Sequence, residues 1–215
     1  MKYKFERRDD AVGRENGIYY NTPEKIRHPA ITTAIKEFYP EKQKFLEEWR
    51  NRVGHDEADR ISRTARNRGN ALHDLIEKYI DDDSDVGKVM PSTMQLIKQI
   101  YPLLKEQLGD VYLKESPLWS HKYKLAGRID ALGNWNSVLS TIDWKNSIKP
   151  KLEEWVEDYK LQTAAYSFMI QEVYGVEITQ NVIVIAVVES NEPQVFISDP
   201  RDYLNHPFFQ WRLEQ

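Results

Sequence analysis

Residues 125–145 read Leu125-Ala126-Gly127-Arg128-Ile129-Asp130-Ala131-Leu132-Gly133-Asn134-Trp135-Asn136-Ser137-Val138-Leu139-Ser140-Thr141-Ile142-Asp143-Trp144-Lys145, and the fold turns on them. The period of the apolar residues shifts towards two, which predicts strands over Tyr123 to Leu132 and Val138 to Lys145. Gly133-Asn134-Trp135-Asn136 is read as their turn. Side chains two apart on a strand point the same way, so Asp143 and Lys145 share a face. A short turn between the strands can also bring Asp130 near Asp143.

Working outward, Val111, Leu113 and Glu115 read as one face of a preceding strand. On the other side, Pro150 precedes a long helix over Leu152 to Tyr174, with Gly175 as its C-terminal cap. Val182 to Val188 is almost unbroken β-branched apolar sequence, as suits a strand buried on both faces. Gln194 to Ser198 reads as an edge strand after a turn at Asn191-Glu192-Pro193, and a last helix follows.

The first half has a helical grammar. A hairpin-like stretch around Gly17-Ile18-Tyr19-Tyr20 leads into helices carrying Ile31, Ile35, Leu46, Trp49 and Val53. A helix over His55 to Asn67 places Ala58, Ile61 and Ala65 on one face and Arg60, Arg63 and Arg66 on others. Arg68-Gly69-Asn70 is read as opening a separate helix, Ala71 to Ile80. The acidic run at Asp81-Asp82-Asp83-Ser84-Asp85 reads as a solvated linker, because adjacent like charges are costly to bury. A helix with Leu96, Ile100, Leu103 and Leu104 then runs from Pro91 to about Leu108. The order predicts an α/β fold: a mixed central β-sheet flanked by helices, with an N-terminal helical lobe. One domain is expected over 1–215, mainly helical over 1–108 and with the sheet core over 109–215.

Composition narrows the chemistry. With 215 residues, 40% of them hydrophobic, the chain can bury one substantial core. A net charge of -4 argues against a globally cationic nucleic-acid binder, although a local basic groove suffices. No cysteine is present, which excludes disulfides, thiolate zinc sites, iron–sulfur clusters and cysteine nucleophiles. The start is charged and lacks an apolar signal core, and no segment has bilayer-spanning length, so the expectation is a soluble cytoplasmic protein without a membrane partner.

Asp130 and Asp143 offer hard oxygen ligands of the kind magnesium or manganese takes, with the Lys145 amine beside them. That set suits phosphodiester hydrolysis, in which a cation offsets phosphate charge and an amine holds or deprotonates the attacking water. Taken alone, D-x-K also occurs where acids and lysines alternate on a solvent face. Glu115 would be costly on an apolar face unless paired or metal-bound, or it is a plain strand-end acid. Gln162 and Tyr166 lie one turn apart on the long helix. They are site residues or an amide and a phenol satisfied at a helix edge. His73, alone on its helix, is a ligand or a packing residue. Arg60, Arg63, Arg66 and Arg68 fit a phosphate backbone or a solvated face. Twelve tyrosines and six tryptophans provide core and, for some, stacking platforms for unpaired bases.

Taken in order, G-N-A-L-H at 69–73, Glu115, G-R-I-D at 127–130, D-W-K at 143–145 and Q-T-A-A-Y at 162–166 resemble the RecB-like branch of the PD-(D/E)XK nuclease superfamily. Y-Y-N-T-P, P-A-I-T-T-A-I, L-E-E-W-R-N-R-V-G and R-G-N-A-L-H-D-L-I-E are similar to the mitochondrial genome maintenance exonucleases and their phage relatives, so the likeness covers most of the chain. Ile129 stands where the superfamily's name has proline, and no cluster-binding cysteines accompany the site. No Walker-type phosphate loop is present.

The resemblance implies a restriction-endonuclease-like core in which Asp130, Asp143 and the Trp144 carbonyl bind Mg2+ or Mn2+. Lys145 assists the water, and His73 joins the metal site. Glu115, Gln162 and Tyr166 support the site and the DNA, and the helical lobe with Arg60, Arg63, Arg66 and Arg68 guides a single strand. The activity implied is a DNA exonuclease on single strands or strand ends, in a bacterial cell or phage-infected host, with replication or recombination proteins as possible partners. The rivals are a structure-selective endonuclease on the same fold and a catalytically silent nucleic-acid-binding module.

Overall fold

The computed structural model describes residues 5–8, 14–15, 19–83, 85 and 87–215. Near the start, β1 (Arg14–Glu15), β2 (Tyr19–Asn21) and β3 (Arg27–Pro29) form a small antiparallel sheet. The hairpin expected around Gly17 to Tyr20 falls partly here, with Gly17 and Ile18 outside the described residues. The helical lobe comprises α1 (Ile31–Phe38), α2 (Pro40–Val53), α3 (His55–Ile80) and α4 (Pro91–Gln107). Pro40 and Pro91 open their helices, where the missing N–H is not needed.

The break expected at Arg68-Gly69-Asn70 does not occur, since α3 runs through it as one helix of 26 residues. Gly69 has another reason to be glycine. A Cβ there would lie 2.9 Å from Nδ2 of the Asn146 side chain, so a larger residue would have to displace that amide, whose Oδ1 accepts from Arg68.

That sheet is built from β4 (Leu108–Ser120), β5 (Leu125–Trp135), β6 (Val138–Ser147), β7 (Gln180–Val187) and β8 (Gln194–Ser198), in that order. β6 and β7 run parallel, and the other neighbours antiparallel. A parallel pair needs a long crossover, supplied by a turn of 3-10 helix at Glu153–Val156 and by α5 (Glu157–Tyr174). Gly175 ends α5 in the expected left-handed conformation, at φ 69°. A last helix, α6 (Pro207–Glu214), follows β8.

Two strand details differ from the sequence reading. The β5–β6 turn is Asn136-Ser137, with φ of 50° and 67°, a two-residue turn whose twist matches the strands it joins. Gly133, Asn134 and Trp135 therefore continue β5. In β4 the register shifts between Val111 and Leu113. The two side chains then pack into different cores, and the single face expected to carry Val111, Leu113 and Glu115 is broken.

Helices cover both faces of the sheet, as expected. On one, Leu118, Leu125, Ile129 and Leu132 pack with residues of α1, α5 and α6, among them Ile31, Met169 and Phe208. On the other, Trp135, Ile142, Val182 and Val184 pack with Leu72 and Ile76 of α3 and Leu96 and Ile100 of α4. Each fully buried side chain of this size contributes roughly 2–3 kcal/mol, so the two layers hold the sheet from both sides. Gln99 of α4 fixes the end of β7 by donating to the Val187 carbonyl at 2.8 Å and accepting its N–H at 3.0 Å. Among the described residues, no helix is long and apolar enough to cross a membrane.

Candidate metal centre

The site lies where β5 and β6 part. Their ladder reaches Ala131 opposite Ile142, and beyond it the Asp130 carboxylate accepts the Trp144 backbone N–H at 2.8 Å. A side chain has taken over a ladder bond, which fixes Asp130 at the fork. On β4, Glu115 sits between the pairs Lys114–Ala131 and Ser116–Ile129, in left-handed backbone at φ 42°. Such a conformation costs a non-glycine residue about 1–2 kcal/mol, held here by the strand pairing on either side.

From α3, His73 reaches both acids. Its Nε2 lies 2.8 Å from the Trp144 carbonyl oxygen, and its Nδ1 lies 3.8 Å from Glu115 Oε1 and 3.7 Å from Asp130 Oδ2. Each of the three residues offers one ligand atom, all within 4.8 Å of one another. One imidazole and two carboxylates make a donor set suited to a divalent cation.

Asp143 is not a member of that trio, but it stands beside it with Lys145, on their shared face of β6. The Lys145 amine is 2.7 Å from both Asp143 oxygens and donates to Oδ1. Oδ2 is buried and has no hydrogen-bond partner among the described residues. The Lys145 ammonium offsets its charge, and one donor shared between two buried oxygens leaves the carboxylate with lone pairs to spare. These lone pairs and the adjacent donor set fit a divalent metal ion.

The charges are strongly coupled. Burial first, and the neighbouring Asp143 second, push Asp130 from 3.8 up to about 7. Burial alone would pull His73 down, but Glu115, Asp130 and Asp143 together outweigh it and hold the imidazole at about 9. Lys145 also rises, because Asp143 and Asp130 outweigh its burial. The two cations thus balance a crowd of carboxylates.

A cavity of about 400 Å3 opens onto the trio, with Tyr20, Thr32, Arg128 and Tyr166 also in its wall. Tyr166 lies across Gly127, where a Cβ would sit 2.9 Å from both the ring and its hydroxyl. Burial, reinforced by Asp130 and Asp143 and opposed by a hydrogen bond with Gln162, keeps the Tyr166 hydroxyl protonated well above its ordinary range. Arg128, whose Nη1 is 3.8 Å from Glu115 Oε2, escapes the sequence reading. The signal is there, since Arg128 and Asp130 are two apart on one strand. Tyr20 and Thr32, from the N-terminal segment, carry no such signal.

The four arginines divide. Arg60 is exposed and forms two 2.7 Å hydrogen bonds with Glu57. Arg63 and Arg66 are exposed on the same helix, away from the cavity lining. Arg68 is half-buried, and its Nε donates to Asn146 Oδ1 at 2.8 Å, next to Lys145.

No family model matches the chain. It is 27% identical over 168 residues to mitochondrial genome maintenance exonuclease 1 of Mus musculus, a match covering 74% of this chain and 49% of that protein. The chain therefore spans about half the length of the curated relative it matches. Among solved structures, SSO0001 matches with a TM-score of 0.41 and 14% identity, over 85% of this chain and 78% of that one.

Proposed function

We propose that this chain is a metal-dependent deoxyribonuclease of the PD-(D/E)XK type, one domain acting as an exonuclease on single strands or strand ends. The observation that carries the reading is the meeting, at one fork in the sheet, of an acid–imidazole trio with the buried Asp143 carboxylate and a lysine bonded to that same acid. The likeness to a protein named as an exonuclease supports it.

In this reading Asp130, Asp143, the Trp144 carbonyl and His73 hold the cation, with Glu115 as a further carboxylate. Magnesium or manganese bound there supplies charge against the phosphate and lowers the pKa of a coordinated water. Asp143 and Asp130 offset the burial of the Lys145 amine and keep it protonated at neutral pH, so it holds the attacking water or a phosphate oxygen in line. Tyr166, Gln162 and Arg128 flank the reacting phosphate, and Arg60, Arg63, Arg66 and Arg68 follow the strand beyond it.

The test is end-labelled single-stranded DNA incubated with magnesium, manganese or EDTA. Wild type should cut only with a divalent ion, and Asp143→Ala and Lys145→Ala should each lose about hundredfold or more in rate. Undiminished cleavage by both variants removes the mechanism. Tight binding without cleavage, whatever the ion, makes the chain a binding module instead. Circular single strands should be spared, and cutting them would make it an endonuclease.

A further inference from the structure

Next to Lys145 a second groove, of about 430 Å3, has Arg68, Asn146, Lys149, Lys151, Trp155 and Tyr159 among its lining residues. The two sites are contiguous, because the Tyr159 ring centroid lies 5.4 Å from the Lys145 amine. Three of the residues lining the groove are cationic, and none carries a carboxylate.

Its walls are fixed. The Gln194 side chain grips Lys151, accepting its N–H at 2.7 Å and donating to its carbonyl at 2.9 Å. Ser147 Oγ donates to the Lys149 carbonyl at 2.7 Å, and the Glu189 N–H bonds the Ile148 carbonyl at 2.9 Å. Arg68 is oriented through Asn146. On this rigid frame Trp155 remains 57% exposed, while the other five tryptophans are buried or half-buried. A large aromatic face held open beside three cations is suited to a base with phosphates on either side.

We propose that this groove is a nucleotide subsite, in which one unpaired base of a single strand stacks on Trp155 while Arg68, Lys149 and Lys151 meet its flanking phosphates. The assignment rests on the nuclease reading and extends it to where the strand lies beside the reacting phosphate.

The experiment titrates oligothymidylate into the protein in EDTA, reading oligonucleotide anisotropy and tryptophan emission, with magnesium-dependent cleavage measured separately. Wild-type emission should be quenched on binding. Trp155→Ala should lose the quench and about tenfold in affinity. Trp155→Phe should lose the quench yet keep affinity within about threefold, because a phenyl ring still stacks. Reversing charge at Lys149 and Lys151 should weaken binding and flatten its salt dependence.

If wild type neither binds nor cuts single strands, the nuclease reading falls and takes the subsite with it. If wild type binds and cuts while Trp155→Ala matches it in both, the subsite alone is overturned. Equal loss of affinity for duplex and single strand would also overturn it, since stacking requires an unpaired base. A dimer that dissociates in Trp155→Ala would place a second copy of the chain on the groove instead.

Discussion

Replacing Asp130 with asparagine should make the metal-free protein more stable at pH 8 while abolishing cleavage. The amide is nearly the same size as the carboxylate, and its carbonyl can still accept the Trp144 N–H that Asp130 now takes at 2.8 Å. What the substitution removes is a negative charge that burial and Asp143 oppose, the cause of the rise from 3.8 to about 7. A carboxyl that binds its proton more tightly folded than unfolded contributes its full share of stability below pH 3.8. That share is lost progressively as the pH rises to about 7. Above pH 7 the loss is on the order of 4 kcal/mol. The attraction of Lys145 and His73 is already contained in the value near 7, but the buried amide brings an NH2 group that needs its own partner, so a net gain of about 2 kcal/mol is expected for Asp130→Asn. In a chain of this size that raises Tm by about 4–8 °C. Thermal unfolding in EDTA at pH 8, 6.5 and 5 should show the gain shrinking as the pH falls. A variant less stable than wild type at pH 8, or a gain that grows on acidification, would refute the argument.

Two further outcomes follow from the same geometry. Gly127→Ala should cost about 1–3 kcal/mol, because its Cβ would meet the Tyr166 ring and hydroxyl at 2.9 Å and neither backbone nor buried ring can easily yield. A Tm within a degree of wild type would show that Tyr166 moves aside freely. His73→Ala should weaken manganese binding measured by calorimetry. In wild type that affinity should rise with pH as Asp130, near 7, and His73, near 9, give up their protons. A flat profile between pH 6 and 9.5 would exclude both as ligands.

The parts of the fold legible in the sequence are those that depend on local rules. The apolar run of β7, the Gly175 cap and the pairing of Asp143 with Lys145 on one face all follow from residue spacing, and the chain forms them. What spacing does not reveal is set by approach between distant elements. Gly69 reads as a helix breaker because its true neighbour, Asn146, is 77 positions away. The β5–β6 turn reads too early because a glycine at 133 suggests one. That glycine instead accommodates the Asp110 carbonyl of β4, from which a Cβ would be 2.9 Å distant. Glu115 stands out in sequence for its place on a regular face, whereas the structure turns it by a backbone twist at φ 42°. The acid–imidazole trio that results combines a helix and two strands, a conjunction no single periodicity encodes.

The continuity of α3 has a mechanical corollary. A straight helix rises about 1.5 Å per residue, so the 18 residues from His55 to His73 make a rod about 27 Å long. A tilt of about 5° pivoting near the imidazole would swing the far end by about 2 Å and leave the pivot almost still. The two ends of α3 therefore differ in reach: a small rotation displaces the Arg60 end while the imidazole keeps its place beside Glu115 and Asp130.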